Sequence, residues 1–157
     1  MLAASTDERV LGYLGRALSL ELSAVQLYRT QARLLSTWGL SEAAAKLRAE
    51  SEEEVEHVDR IIERMLAVGV APNASQLRPV KLGRSLAELL RVNMTFEQEL
   101  VQLYRDAVQH CVSAGCHDDG NFFEGLLEDE QVHLQHLVLW IKQLEGSTAR
   151  ASRLPVS

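Results

Sequence analysis

The chain is short of the residues that break, crosslink or turn a fold. Its 157 residues include only three prolines and nine glycines, too few turn-formers for a protein of many short strands. Two cysteines, Cys111 and Cys116, cannot build a disulfide framework, so a reduced, cytoplasmic setting is expected. No run of about 18 apolar residues is present to span a bilayer. Met1 to Val10 lacks the basic region and long apolar stretch of a signal peptide. Positive charge is also scarce: 16 Lys and Arg against 22 Asp and Glu leave a net charge of −6. That balance disfavours nucleic acid and anionic membranes as partners and suits a protein that attracts cations. What remains abundant (Ala, Leu, Glu, Gln and Arg) is a helix-forming set, on a length that fits one all-α domain with a real core.

Start and stop signals divide the chain into four long helical segments. Ser5-Thr6-Asp7-Glu8 reads as a capping box that opens the first, which runs to about Thr37 and stops at Gly39. Ser41 can cap the second, which continues to about Val68 and ends at Gly69. Ser85-Leu86-Ala87-Glu88 is a second capping box, opening a helix that lasts to about Ser113. The fourth starts near Asp118 or Asp119 and stops at Gly146. Short connections make the first two helices one antiparallel hairpin and the last two another. Residues 70–84 are different: fifteen extended residues reach roughly 50 Å, enough to travel the length of a helix of about 42 Å. The expected architecture is a four-helix bundle with one long crossover, its second and third helices parallel. Residues 1–146 would form the bundle domain. Residues 147–157, rich in Ser, Ala and Arg, would form a weakly ordered tail.

One set of residues recurs at a fixed offset. Glu54 and His57 form an E-x-x-H pair, and Glu130 and His133 repeat it 76 positions later. Glu21 and Glu97 precede the two pairs by the same 33 positions. Tyr28 and Tyr104 keep the 76-residue offset, inside the identical pentapeptides Val25-Gln26-Leu27-Tyr28-Arg29 and Val101-Gln102-Leu103-Tyr104-Arg105. All six Glu and His residues fall on otherwise apolar stripes, such as Leu14, Leu18, Glu21, Val25, Tyr28 and Phe123, Leu126, Glu130, His133, Leu137. Four buried carboxylates need compensation, because two unit charges about 5 Å apart repel by roughly 3 kcal/mol at an effective dielectric of 20. Two divalent ions supply it, and residues i and i+3 share a helix face and can grip one ion. Mixed carboxylate and imidazole ligands favour iron or manganese over structural zinc.

With these residues in place, the chain resembles the bacterioferritins, over about residues 8–145. The likeness runs through Glu21-Leu22, Trp38-Gly39-Leu40, Glu54-Val55-Glu56-His57-Val58-Asp59-Arg60, Glu97 and Asp129-Glu130-Gln131-Val132-His133. The resemblance implies a ferritin-like bundle holding two iron ions per subunit. Glu21 and His57 would be terminal ligands of one iron, Glu97 and His133 of the other, with Glu54 and Glu130 bridging. Tyr28 matches a tyrosine beside the di-iron centre, read either as a hydrogen-bond donor or electron source, or as a packed core residue. The implied function is iron storage: ferroxidase oxidation of Fe2+ by oxygen or hydrogen peroxide, then mineral formation inside a homo-oligomeric cage of 24 subunits.

The chain also departs from the family pattern. The methionine that holds haem between two subunits is replaced by Val55, so haem is not expected in a homopolymer; a mixed cage with a haem-bearing partner subunit remains an alternative. Residues 147–157 make a weak or absent fifth helix, the element that lines the four-fold channels. The inner-surface iron site and tryptophan electron donor are matched by Ala49, Glu53 and His136. A di-iron peroxidase or oxygenase is the rival enzyme, but two cysteines cannot form an appended four-cysteine domain. An oxygenase needs an apolar pocket, which Tyr104 and Phe123 are expected to fill. His110-Cys111 and Cys116-His117 could bind zinc or copper, or be buried packing. His136 reads as an auxiliary ligand or a partly buried histidine. Glu50, Glu52, Glu53 and Glu56 read as a solvated face, or as an inward one that gathers Fe2+.

Overall fold

A computed structural model describes residues 6–73 and 75–152. It contains the helices α1 (Glu8–Thr37), α2 (Ser41–Ala67), α3 (Leu86–Ala114) and α4 (His117–Ser152), and no strand among the described residues. The all-α bundle expected from the sequence is present, with several helix ends moved.

Each shift has a local cause. α1 is capped by Asp7, whose carboxylate accepts from the backbone N–H of Arg9 at 2.8 Å and of Val10 at 3.2 Å; Ser5 lies outside the described residues. At the end of α1, Gly39 takes a φ of 77° and lets Leu40 N–H close back on Leu35 O at 2.9 Å. The carbonyl of Leu40 then accepts from Ala44 N–H at 2.9 Å. Leu40 is therefore the N-cap of α2, and the expected cap Ser41 is drawn into the first turn. Ser85 does cap α3, accepting from Glu88 N–H at 3.2 Å. The reciprocal arm of that box differs, because Glu88 accepts from Arg84 N–H at 2.6 Å. The fourth helix passes through Gly146 to Ser152. One interior glycine costs only about 1 kcal/mol relative to alanine, and no proline follows until Pro155. The division expected at residue 146 thus falls inside a continuous helix, residues 147–152 form no separate fifth helix, and residues 153–157 lie outside the described ones.

Side-chain pairs fix the helix directions. Along α1 the partners Glu21, Tyr28 and Gln31 meet Tyr104, Glu97 and Asn93 in descending order, so α1 and α3 are antiparallel. Glu54, His57, Arg60 and Arg64 on α2 meet His133, Glu130, Asp129 and Asp119 on α4, again in descending order. With α1 and α2 also forming a hairpin, α2 and α3 run parallel, and the crossover spans the bundle lengthwise as its length allows. It is held against α1 by the hydroxyls of Ser19 and Ser23, which accept from Gln76 N–H at 3.1 Å and Arg78 N–H at 3.0 Å. The core between the helices includes Leu14, Leu35, Leu47, Ile61, Leu90, Leu100, Phe123 and Leu126, all fully buried. Val25 and Val108 lie at the edge of this core and Ala24 and Ala107 at its centre, so the true seam is rotated slightly from the one read in sequence.

Candidate metal centre

Each helix delivers two polar side chains to the middle of the bundle: Glu21 and Tyr28 from α1, Glu54 and His57 from α2, Glu97 and Tyr104 from α3, Glu130 and His133 from α4. Helical spacing explains the pairing, because i and i+3 or i+7 fall on one face. Glu21, Glu54 and Glu130 are 0% exposed, Glu97 3% and His57 4%, while the side chain of His133 is 16% exposed. Ligand atoms of Glu21, Glu54, His57 and Glu130 all lie within 4.8 Å of one another, and so do those of Glu54, Glu97, Glu130 and His133. The six residues singled out by the repeat therefore converge as two overlapping groups that share Glu54 and Glu130.

The electrostatics are those of a site built for cations. Burial raises the pKa of Glu21, an effect reinforced by the charge of Glu130. Glu54 is raised by burial and then by Glu21, and Glu97 stands well above the usual carboxylate range through burial and Glu130. Burial opposes charge on the imidazoles, but the neighbouring carboxylates of Glu130 and Glu54 outweigh it and hold His133 up at about 11. His57 is raised further by Glu130, Glu21 and Glu54. Even so, Oε2 of Glu21, both oxygens of Glu54, Oε2 of Glu97 and Oε2 of Glu130 are buried without a hydrogen-bond partner. Buried polar groups are almost always satisfied, so five carboxylate oxygens without partners in one pocket are the donor set a pair of metal ions would take.

A supporting layer orients the histidines. Nδ1 of His57 faces the pocket, 2.9 Å from Glu130 Oε1, and its Nε2 lies 3.2 Å from Asp129 Oδ2. Asp129 is held in turn by Arg60 at 2.9 Å. In the other half, Nδ1 of His133 lies 3.1 Å from Glu54 Oε1, and its Nε2 contacts Glu53. An outward carboxylate that fixes the ring of an inward-facing histidine is a common support for metal ligands. Neither role was read from the sequence, although Glu53 and Asp129 obey the same 76-residue offset as the ligands. The tyrosines pair across the halves: Tyr28 Oη donates to Glu97 at 2.5 Å and Tyr104 Oη to Glu21 at 2.7 Å. Tyr28 is thus a hydrogen-bond donor to Glu97 and also a packed core residue. Tyr104 fills space as expected and bonds the site as well.

Other candidates are placed differently. A cleft of about 410 Å³ reaches His57 and His133 from the surface, lined also by Glu50, Glu53, Glu56, Asp129, Val132 and His136. His136 is exposed in this cleft, not partly buried. Burial, then the nearby Glu54 and Glu53, raises Glu50 to about 7 against the pull of His133. Ala49 and Val55 are exposed on α2, Val55 at 37%. At the α3–α4 turn, His110 is engaged by Asp7 at 2.9 Å and Cys111 is buried with its thiol raised to about 11. Among the described residues, the groupings that could share an ion are the two in the bundle, and the cysteines and histidines of that turn form none.

A carboxylate-shared dinuclear pocket inside a crossover four-helix bundle defines the ferritin-like di-iron class. A family model for the ferritin-like domain matches residues 11–147. The bacterioferritin of Rhodobacter capsulatus is 37% identical over 131 residues, covering 83% of this chain and 81% of that one. The bacterioferritin of Brucella melitensis is 33% identical over a stretch of the same length. A solved structure of the Rhodobacter capsulatus protein, described as having a metal-free dinuclear site and a haem iron, superposes with a TM-score of 0.85 at 35% identity. It covers 90% of this chain and 88% of that one. The chain belongs to the bacterioferritin family of ferritin-like proteins.

Proposed function

We propose that this protein is an iron-storage ferroxidase whose reaction centre is the pocket between the four helices. Glu21 and His57 hold one Fe2+, Glu97 and His133 hold the second, and Glu54 and Glu130 bridge them. The observation that carries this reading is the overlap of the two ligand groups at Glu54 and Glu130, together with their orphaned oxygens. Bound there, two Fe2+ ions deliver two electrons to oxygen or hydrogen peroxide, and the Fe3+ formed is stored as mineral in a cytoplasmic homo-oligomeric cage of 24 chains. The chain's own part is to hold the ions close together, to keep the histidine rings turned inward through Asp129 and Glu53, and to exclude bulk water with Tyr28, Tyr104 and Phe123.

The cleft favours this over an oxygenase. An organic substrate needs an apolar pocket beside the metals, whereas the opening to His57 and His133 brings together four acids and three histidines beside the single aliphatic residue Val132, and that concentration of carboxylates suits a cation. Val55 offers no lone pair to a haem iron, so a cage of this chain alone carries none, and haem would enter only with a partner subunit. Adding Fe2+ in small steps to the aerobic metal-free protein tests the proposal. Fast oxidation should saturate at about two irons per chain and slow by at least about 100-fold in Glu54→Gln. Equal initial rates in the two proteins would overturn the site assignment.

A further inference from the structure

We propose that Tyr104 is a positioning residue of the dinuclear pocket equivalent to Tyr28, and that the two tyrosines hold Glu21 and Glu97 as one-oxygen metal ligands. This rests on the di-iron reading above. Tyr28 and Tyr104 are 1% and 0% exposed, and each donates its phenol proton to the terminal glutamate of the opposite half. In both cases the acceptor is Oε1, and in both the remaining oxygen, Oε2, is buried with no partner. The two bridging acids touch neither phenol: Glu54 leaves both oxygens without a hydrogen bond, and Glu130 has Oε1 2.9 Å from His57 Nδ1 and leaves Oε2 unpartnered. At Glu21 and Glu97 the phenol occupies one oxygen and leaves the other for a metal ion, as a one-oxygen terminal ligand requires.

The second tyrosine lies in a repeated pentapeptide, and its contact with Glu21 is what gives it a role. One to two turns away the halves have diverged. Gln31 and Asn93 form a buried two-bond pair at 2.8 Å each way, while the positions related to them by the 76-residue offset are the buried alanines Ala107 and Ala17. The equivalence of the halves persists where a phenol meets a ligand carboxylate. Phe123, fully buried nearby, shows that this core accepts an aromatic ring without a hydroxyl. The hydroxyl of Tyr104 is therefore there for Glu21.

Co2+ is the probe, since its visible absorption weakens as its coordination number rises. The metal-free protein and the variants Tyr28→Phe, Tyr104→Phe and the double variant are titrated with Co2+. The unchanged protein should take up two ions per chain. Each single variant should weaken one of the two sites by about 10- to 100-fold and dim its spectrum, as the freed carboxylate swings to grip the ion with both oxygens. The double variant should change both sites. A second measurement needs only Tyr28→Phe: Co2+ loading should still produce a tyrosine difference signal in the near ultraviolet, because Tyr104 feels the ion through Glu21. The third tyrosine, Tyr13, packs against His110 away from the site. A Tyr104→Phe protein with the binding curve and spectrum of the unchanged chain, or no tyrosine signal in Tyr28→Phe, would overturn the proposal. Failure of the unchanged protein to bind two Co2+ would instead overturn the di-iron reading.

Discussion

Replacing Glu54 by glutamine should make the metal-free protein more stable while it loses fast iron oxidation. The ligand oxygens of Glu54 lie within 4.8 Å of those of Glu21, Glu97 and Glu130. At that distance and an effective dielectric of about 20, each ionised pair repels by about 3.5 kcal/mol. Two attractions work the other way: His133 Nδ1 is 3.1 Å from Glu54 Oε1, and His57 Nδ1 is 3.7 Å from Glu54 Oε2. Three repulsions against two attractions leave about one pair's worth of net repulsion, which glutamine removes without opening a cavity. A gain of about 1–4 kcal/mol follows, the range seen when buried ionic groups are replaced by neutral ones of similar shape. For a chain of this size each kcal/mol moves the melting temperature by about 2–4 °C. The assay is thermal unfolding of both metal-free proteins at pH 7 to 8 and equal chain concentration. Because burial and Glu21 raise the pKa of Glu54, the folded state of the unchanged protein binds that proton more tightly than the unfolded state does. The associated stability is complete below about 4.5, the ordinary value, and is lost as pH rises. The advantage of the glutamine variant should therefore shrink toward pH 4.5. A variant less stable than the unchanged protein at neutral pH would refute the reasoning, since the four acids would then be a self-satisfied polar network with no need of metal.

The same sign governs metal binding. Glu21 and Glu97 are raised by burial and His133 is held at about 11, so ions must displace protons. Stabilisation by Co2+, read as the difference in melting temperature with and without metal, should grow from pH 5 to pH 8; equal stabilisation at both would contradict the protonation scheme. Asp129→Asn should weaken Co2+ binding by about 10- to 100-fold by releasing His57, with helical circular dichroism unchanged because the Asp129 side chain is 49% exposed. An unaltered binding curve would show that His57 is oriented by the pocket alone.

The parts of this account that were legible in the sequence are those written as periodicity. The 76-residue repeat and the position of each acid on an apolar stripe were enough to converge six residues that span more than a hundred positions of chain. The crossover's length was enough to set the direction of α3. What escaped depends on how side chains and chain ends meet in space. Glu53 and Asp129 look like solvent-facing acids in a glutamate-rich helix until the ring orientations of His57 and His133 are known. Ser19 and Ser23 gain their role only when the crossover lies against α1. The start of α2 moved because the closure of α1 had already committed Leu40. The end of α4 moved because one glycine, without a proline beside it, is too weak a stop.

The most direct test of the central claim is iron loading. Purified metal-free protein is mixed with a large excess of Fe2+ in air and separated by size, and iron is measured in the protein peak. A very large particle carrying far more than about two irons per chain is expected. A small particle that retains no more than about two irons per chain would contradict it.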